Sequence, residues 1–467
     1  MRDKLKFLLI VPTVPDLRAT HERPPDRKTR ALRFSMLPSL YVAAAMPPYV
    51  ETRIIDEDVE PIDFETDADL IGLSFMTFCA PWAYEIADRF RKEKGKPVIL
   101  GGYHATFMPE EAIQHADSIC IGEAENNVPR MIEDFVAGKL KPFYKSAPID
   151  LKGLPIPNRS LVRQSAYLVP DSLQASRGCC FRCTFCSVAA FSNYRYRIRP
   201  VDEVIEELKQ LGRHVAFMDD NLIGDSSFAK ELFAKMIPLK KRWATQASIG
   251  LANDDELLRL AAAAGCRMAF IGFESLSQEN LKLTRKHINR GVDYRRAIEK
   301  IHRAGIAVIA AVMFGLDGDT PDVFEQTLDF AYQARIDLLT AAILTPLPGT
   351  QLFAELDAEG RIFDRDWRKY DFAHVVFQPK QMSPETLQNG LHWVQSQYYS
   401  RSSVALRIWR ALRLQEPGAA LAGIIPLNLS YHHRFKSTGV FEADFGPVAV
   451  SKTYNQTSWG SIKALYR

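Results

Sequence analysis

The sequence predicts an α/β chain with two successive parallel sheets. A doubly wound domain comes first, then a barrel or partial barrel of strand–helix units, then a mostly helical C-terminal region. Three observations carry this. Short, nearly uninterrupted Val, Ile and Leu runs alternate with helical patterns from residue 6 to residue 137, as strands buried on both faces do. A strand–helix period then recurs six times between residues 172 and 344. Glycine and polar residues collect just after the strands, at the carboxyl ends where such sheets bind ligands. With 467 residues and 47% hydrophobic content, the chain exceeds one ordinary core and reads as three regions, 1–150, 151–370 and 371–467.

In the first region the strand candidates are 6–11, 53–56, 70–76, 97–100 and 118–121, five in all, with helices over 81–93 and 128–137. Ser74 and Thr77 follow the third strand, Gly101-Gly102-Tyr103-His104 the fourth and Gly122-Glu123 the fifth. Paired glycines let backbone approach a bulky ligand. Taken alone, a Gly-Gly after a strand describes a plain turn equally well. Residues 138–165 read as a linker.

In the second region the strand candidates are 172–176, 215–218, 245–251, 268–273, 307–314 and 338–344, with helices such as 201–211, 254–264 and 294–304 between them. Cys179, Cys183 and Cys186 follow the first strand in a Cys-x3-Cys-x2-Cys run. Three close thiolates can each hold one iron of a cubane cluster and leave the fourth iron open to a chelating ligand. A zinc site usually has two separated Cys pairs or Cys with His, and no second Cys-x2-Cys exists here. A disulfide needs an oxidising compartment, and the apolar run 7–11 is too short for a secretory segment. Cys180 offers an alternative Cys-x2-Cys-x2-Cys register. Asp219-Asp220-Asn221 follows the second strand, Gln246 and Ser248 lie on the third, Glu274-Ser275 follows the fourth, Asp317 the fifth, and Thr345–Thr350 the sixth. Lys286 and Asn289 come after the fourth strand and are candidates to face a ligand. The arginines and tyrosines of 194–199 read as mostly structural.

The third region opens with Ser383-Pro384, a helix cap followed by proline at the first position. Residues 391–414 interleave aromatics with Arg401, Arg407, Arg410 and Arg413, and 419–429 is a short apolar run. That pattern in 391–429 allows peripheral membrane contact. A helix packed on the barrel with a solvated arginine face fits as well and is the preferred reading. No apolar stretch reaches the length of a membrane span. With 59 basic against 56 acidic residues, charge gives no case for nucleic acid as a partner. Cys79, Cys120 and Cys266 sit in apolar runs as buried hydrophobes, and this cysteine usage fits a reducing cytoplasm.

Two resemblances follow from these motifs. Ser176-Arg177-Gly178-Cys179-Cys180-Phe181-Arg182-Cys183-Thr184-Phe185-Cys186, ahead of six strand–helix units, resembles the radical S-adenosylmethionine (SAM) enzymes and their partial (β/α)6 barrel. The resemblance implies a [4Fe–4S] cluster on Cys179, Cys183 and Cys186, whose open iron binds SAM and whose electron cleaves it to a 5′-deoxyadenosyl radical. It also implies that Asp219, Asp220 and Asn221 meet the methionyl end of SAM, although the family's usual small-small-Glu triplet is absent. Glu274 falls where a carboxylate holds the ribose hydroxyls, Gln246 and Ser248 point to the barrel mouth, and the backbone of 313–315 and 344–345 holds adenine. The phrases Gly-Leu-Ser-Phe-Met-Thr, Leu-Gly-Gly-Tyr-His-Ala-Thr and Ile-Gly-Glu-Ala-Glu within 71–125 resemble the flavodoxin-like cobalamin-binding domain that precedes many such barrels. Ser74, Thr77, Gly101, Gly102, His104, Gly122 and Glu123 are the implied cobalamin-side residues. Asp16-Leu17-Arg18 is followed by His21 where a cobalt-ligating Asp-x-His-x-x-Gly motif wants glycine, so no histidine ligand of that kind is available. The implied lower cobalt face meets the loop 76–82. A domain that keeps the fold and has lost the cofactor is the alternative.

Together the resemblances imply a cobalamin-dependent radical SAM methylase, similar to the group that includes hopanoid methylases, acting on an unactivated carbon of a lipid or natural product. A low-potential electron donor such as flavodoxin or ferredoxin is the implied partner. A radical cyclase or rearrangement enzyme on a tetrapyrrole or nucleotide, and a non-enzymatic cobalamin or redox sensor, are the competing readings.

Overall fold

In β1 (Leu5–Val11), Leu8 and Ile10 are buried in one apolar layer and Phe7 and Leu9 in another. A strand with that pattern must lie between two layers of helices. The computed structural model, which describes residues 4–14, 19, 33, 36–412 and 423–437, has this arrangement. The elements are α1 (Leu37–Ala44), β2 (Val50–Asp56), β3 (Leu70–Ser74), α2 (Ala80–Asp88), β4 (Val98–Gly101), α3 (Tyr103–Phe107), α4 (Pro109–Ala112), β5 (Ser118–Ile121), α5 (Ala124–Val136) and β6 (Phe143–Lys145). They build a six-stranded parallel sheet in the order β2-β1-β3-β4-β5-β6. Ala80, Ala83 and Ile86 of α2 pack on Ile71, Leu73, Val98 and Leu100. Val128, Met131 and Ile132 of α5, with Leu40 of α1, pack on Leu70, Ile99 and Cys120. Each fully buried Leu or Ile contributes about 1.5–3 kcal/mol, which makes the two layers the principal stabilising term.

Five strands are expected from the sequence and six are found. The sixth, β6, lies in the stretch read as a linker. Only Tyr144 of its three residues is buried, so it carries too little apolar sequence to stand out. The strand order turns back on either side of β1, which puts the switch point of this sheet between β1 and β3, beside the loop that follows Ser74. Asp16, Leu17, Arg18 and His21, on which the missing-ligand argument rests, lie outside the described residues.

The chain divides into two compact units. One comprises 1–220, 346–357 and 365–371, and the other 221–345, 358–364 and 372–467. Beyond the first sheet, the first unit holds β7 (Ser172–Leu173), β8 (Ser176–Arg177), α6 (Ser187–Phe191), β9 (Arg197–Ile198), α7 (Val201–Gln210) and β10 (His214–Phe217). The single strand expected over 172–176 is two short pieces. β7 pairs in parallel with β10, whereas β8 pairs antiparallel with β9. The second unit contains α8 (Ser226–Met236), β11 (Arg242–Ala247), α9 (Asp255–Ala263), β12 (Cys266–Glu274), α10 (Gln278–Leu283), α11 (Tyr294–Arg303), β13 (Ala307–Phe314), α12 (Val323–Gln333) and β14 (Leu338–Ile343). The second sheet runs β14-β13-β12-β11-β10-β7, the sequential order of a partial (β/α)6 barrel. β11 stops at Ala247, and a 3-10 turn (Ile249–Ala252) replaces the last part of the expected strand.

α13 (Gln351–Ala358) follows the sixth barrel strand in sequence. α14 (Pro384–Tyr398) begins as expected, with the Ser383 side chain accepting from the Thr386 N–H. The helix expected over 391–414 breaks at Ser400, whose ψ of 154° is extended, and resumes as α15 (Arg401–Ala411), followed by α16 (Ile425–Ser437). Arg401 is exposed as expected and Arg410 half-buried, and the expected solvated arginine face is corrected at Arg407. Arg407 is buried, stacked 3.9 Å over the Tyr398 ring, and donates to Asn428 Oδ1, Ser403 Oγ and the Tyr398 carbonyl. Arg413 and 419–422 of the apolar run lie outside the described residues. Among the described residues no helix is long and apolar enough to cross a membrane.

Candidate active site

The cysteine loop leaves β8 through Gly178, which has φ +80°. A Cβ there would stand 2.1 Å from the Arg195 carbonyl oxygen, so glycine alone fits. Cys183 is buried, Cys179 and Cys186 are half-buried and Cys180 is exposed. The Cys186 N–H bonds to the Cys183 carbonyl at 3.2 Å, closing a turn that leads straight into α6. No disulfide joins any of the seven cysteines. Among the described residues no three His, Cys, Asp or Glu side chains gather around one point as a single metal ion requires. A cubane distributes its thiolates over separate irons.

Two adjacent aspartates brace this loop from the end of β10. Asp219, fully buried, accepts from the Ala175 and Ser176 N–H groups and from Ser176 Oγ. Burial pushes its carboxyl up to about 7 against those donors. Asp220 accepts from the Gly178 N–H at 2.9 Å, and burial raises its pKa as well.

At the carboxyl end of the first sheet, Gly102 has φ +93°, and a Cβ on it would lie 2.7 Å from the Phe75 backbone. Gly101 ends β4, and its carbonyl accepts from the Phe75 N–H. The Ser74 side chain lies beside Gly102, and Thr77 is buried. Gly122 has φ +85°, and its N–H bonds to Thr106 Oγ1. His104 is fully enclosed among the Phe75, Tyr84 and Trp367 rings, with Nε2 3.2 Å from Glu111 Oε1. Burial opposes ionisation of Glu111, but hydrogen bonds from His104 and Trp367 win and hold its pKa low. Beside the switch point, Glu57 is buried and accepts from the Thr13 N–H at 2.8 Å and from Trp82 Nε1.

Glu123 joins this end of the sheet to the cysteine loop. Its carboxylate is gripped by both Arg197 Nη atoms, lies 3.6 Å from Arg177 Nη1 and accepts from the Ile149 N–H. Arg177, two residues before Cys179, also pairs with Glu125. Burial opposes ionisation of Glu123, but the Arg197 and Arg177 charges hold its pKa below the usual range. Tyr103, directly after the glycine pair, stacks on Phe191 of α6 with centroids 4.5 Å apart. Its hydroxyl is pushed up by burial first and then by the nearby charges of Asp220, Cys186 and Glu123. Neither Tyr103–Phe191 nor Arg177–Glu125 stands out in sequence, because their significance lies in pairing across long separations. Adjacency to the glycine pair and to the cysteines is the signal that points to Tyr103 and Arg177.

In the second unit, Asn221 is buried, and its Oδ1 accepts from the Ser248 N–H at 3.1 Å. Its Nδ2 is buried without a hydrogen-bond partner. Ser248 is buried and Gln246 exposed, and the Gln246 carbonyl accepts from the Leu222 N–H. Glu274 ends β12 at a register shift and pairs through Oε1 with Lys286 Nζ at 2.8 Å. Asp317 pairs instead with Arg361 and Lys380.

A family model described as the radical SAM superfamily matches residues 173–331, and one described as a B12 binding domain matches 29–132. The bacteriochlorophyllide d C-12(1)-methyltransferase of Chlorobaculum tepidum is 32% identical over 386 residues, covering 79% of this chain and 83% of that protein. The hopanoid C-2 methylase of Rhodopseudomonas palustris is 29% identical over 349 residues, covering 71% of this chain and 66% of that protein. The solved structure of the cobalamin-dependent SAM radical enzyme OxsB with aqua-cobalamin and SAM bound superposes with a TM-score of 0.64 at 16% identity, over 93% of this chain and 72% of that one, a likeness in fold. The chain therefore belongs to the cobalamin-dependent radical SAM methylase family, and it is an enzyme whose cofactors are a [4Fe–4S] cluster, SAM and cobalamin.

Proposed function

We propose that this enzyme methylates an unactivated carbon on a tetrapyrrole of the chlorophyllide type. The carrying observation is the bracing within the first unit. The loop ends of the first sheet are joined to the cysteine loop by Arg177–Glu123, Arg177–Glu125, Arg197–Glu123 and the Tyr103–Phe191 stack. Methyl transfer between two cofactors needs them held at a fixed distance, and buried charge pairs with a stacked aromatic supply such a hold. When bound, the cluster with SAM supplies hydrogen abstraction from carbon, and cobalamin supplies the methyl group.

In this reading Cys179, Cys183 and Cys186 hold the cluster and Cys180 stays outside it. Asp219 and Asp220 fix the backbone that delivers Cys179. Asn221, with its buried unpartnered Nδ2, joins Gln246, Ser248 and Glu274 in receiving SAM, and Glu274 accepts from the ribose hydroxyls. Ser74, Thr77, Gly101, Gly102 and Gly122 line the cobalamin side. His104 and Glu123 act one layer back, as a packed core histidine and as the brace. The reaction is assigned to the cytoplasm, with a flavodoxin- or ferredoxin-like donor as reductant.

The tetrapyrrole class rests on relatives. Two Chlorobaculum tepidum proteins named as bacteriochlorophyllide d methyltransferases are 32% and 29% identical to this chain. The test is anaerobic turnover with SAM bearing a CD3 group and a chlorophyllide-type tetrapyrrole, read by mass spectrometry. Gain of CD3 in place of hydrogen, with both S-adenosylhomocysteine and 5′-deoxyadenosine formed, supports the reading. Loss of hydrogen without CD3 gain moves the enzyme to the cyclases, and a labelled hopanoid with an untouched tetrapyrrole moves it to the lipid methylases.

A further inference from the structure

Glu274 is held in a conformation that glutamate avoids. Its φ is +63°, and the Ser275 N–H reaches back to the Phe273 carbonyl at 2.8 Å, closing a three-residue turn around it. Such a turn at a non-glycine residue costs about 1–3 kcal/mol and persists only where the surroundings over-determine it. Here they do. Asn289, fully buried, donates through Nδ2 to the Gly272 carbonyl at 2.9 Å and to the Phe273 carbonyl at 3.1 Å, the carbonyl before the turn and the one that closes it. The same Nδ2 lies 3.0 Å from the Tyr294 hydroxyl, which reaches the Phe273 and Ser275 carbonyls at 3.3 and 3.4 Å. The Tyr294 ring packs edge-on against Phe273. Lys286 Nζ takes Glu274 Oε1.

The turn also decides where the carboxylate lies. It folds back over Gly272, where a Cβ would stand 2.2 Å from Glu274 Oε1 and 3.1 Å from Lys286 Nζ. Gly272-Phe273-Glu274-Ser275 is therefore a device in which glycine makes room, phenylalanine anchors in the core and glutamate is turned out of the strand.

We propose that Lys286 and Asn289 are positioning residues for SAM recognition. Asn289 holds the turn that aims Glu274, and Lys286 occupies Oε1 so that Oε2 is the oxygen offered to the ribose hydroxyls. This rests on the reading of Glu274 as the ribose acceptor. Lys286 fixes which oxygen and which direction that acceptor has, and so sets preference for a ribonucleoside over a deoxynucleoside ligand. Neither residue needs to touch SAM.

The test measures binding of S-adenosylhomocysteine and of its 2′-deoxy and 3′-deoxy analogues to the reconstituted enzyme, with iron content and thermal midpoint as folding controls. A charge-assisted hydrogen bond predicts a ribo-over-deoxy preference of about 10- to 100-fold in the unaltered enzyme. E274Q should lose most of it. K286M and N289L should each cut the preference at least about fivefold, and K286R should restore it. A merely structural role would lower the midpoint and leave the ratio unchanged. If E274Q keeps the full preference, the ribose reading fails and this proposal with it. If E274Q loses the preference while K286M keeps it, the proposal is overturned and the reading of Glu274 stands. Should N289L fail to fold, K286M and K286R decide alone.

Discussion

Substituting Glu123 by alanine removes the carboxylate on which two arginines converge. Arg197 loses both its Nη contacts and keeps a hydrogen bond to the Ile149 carbonyl. Arg177 retains Glu125, and the Ile149 N–H loses its acceptor. Removing one member of a buried ion pair typically costs about 3–5 kcal/mol, because the other charge is stranded. These side chains are 9% and 15% exposed for Glu123 and Arg197, and Arg177 has its second carboxylate, so the expected loss is about 2–4 kcal/mol. Chemical denaturation of the cluster-free protein would measure it, in a double-mutant cycle with Arg197→Met. The double variant should recover part of the loss, since no stranded charge remains. The pH dependence adds a second check. The Glu123 pKa is lowered in the folded state, so its stabilisation is present above the unfolded value of about 4.3 and lost as pH falls through the lower, folded value. The gap between the unaltered protein and E123A should therefore be constant near neutrality and close only in acid. A coupling below about 0.5 kcal/mol would mark the contact as an ordinary surface pair and remove the argument that it fixes the cysteine loop.

Other changes test the loop itself. Cys183→Ala should abolish iron loading while Cys180→Ala leaves iron and sulfide content near that of the unaltered enzyme, and the reverse for Cys180 against Cys179 would establish the Cys-x2-Cys-x2-Cys register. Gly178→Ala forces a left-handed residue, at about 1–2 kcal/mol, and drives a methyl into the Arg195 carbonyl. It should lower iron retention measurably, and unchanged retention and thermal midpoint would show that the loop relaxes freely. Asp219 carries a folded pKa raised to about 7 by burial, above its unfolded value of about 3.9. Its contribution is fullest below about 3.9 and is lost as pH rises towards 7, with a slope of up to about 1.4 kcal/mol per pH unit. Asp219→Asn should flatten denaturation midpoints compared between pH 5 and 8, and an unchanged slope would refute the raised value.

The sheets were legible because their strands announce themselves. Leu8 and Ile10 on one face and Phe7 and Leu9 on the other make a continuous apolar run, and 307–314 is read to the residue. What escaped lacks that signal. β6 buries one side chain, and the first barrel strand is cut because Ser176 and Arg177 turn away to pair with β9. α1 was missed although Leu37, Leu40 and Tyr41 are buried, because an eight-residue stretch gives the helical period little room to show. The arginines of 401–410 look alike in sequence, yet the extended residue Ser400 turns Arg407 into a cage of Tyr398, Ser403 and Asn428.

The candidate site teaches a narrower lesson. Polar residues at strand ends are easy to find, but their type does not say whether they face a ligand or hold the backbone that does. Asp219, His104 and Glu123 all sit where a ligand-facing group is expected; the Asp219 and Glu123 carboxylates are engaged by protein donors, and His104 is fully buried with Nε2 on Glu111 and Nδ1 without a hydrogen-bond partner. Glu274 differs in that Oε1 is taken by Lys286 while Oε2 has no hydrogen bond among the described residues. Occupancy by the protein's own donors is thus the property that separates the two kinds of carboxylate, and it depends on residues distant in sequence: Ser176 for Asp219 and Arg197 for Glu123. A motif can place a carboxylate at the right strand end, and only the fold reveals how many of its oxygens remain to be offered.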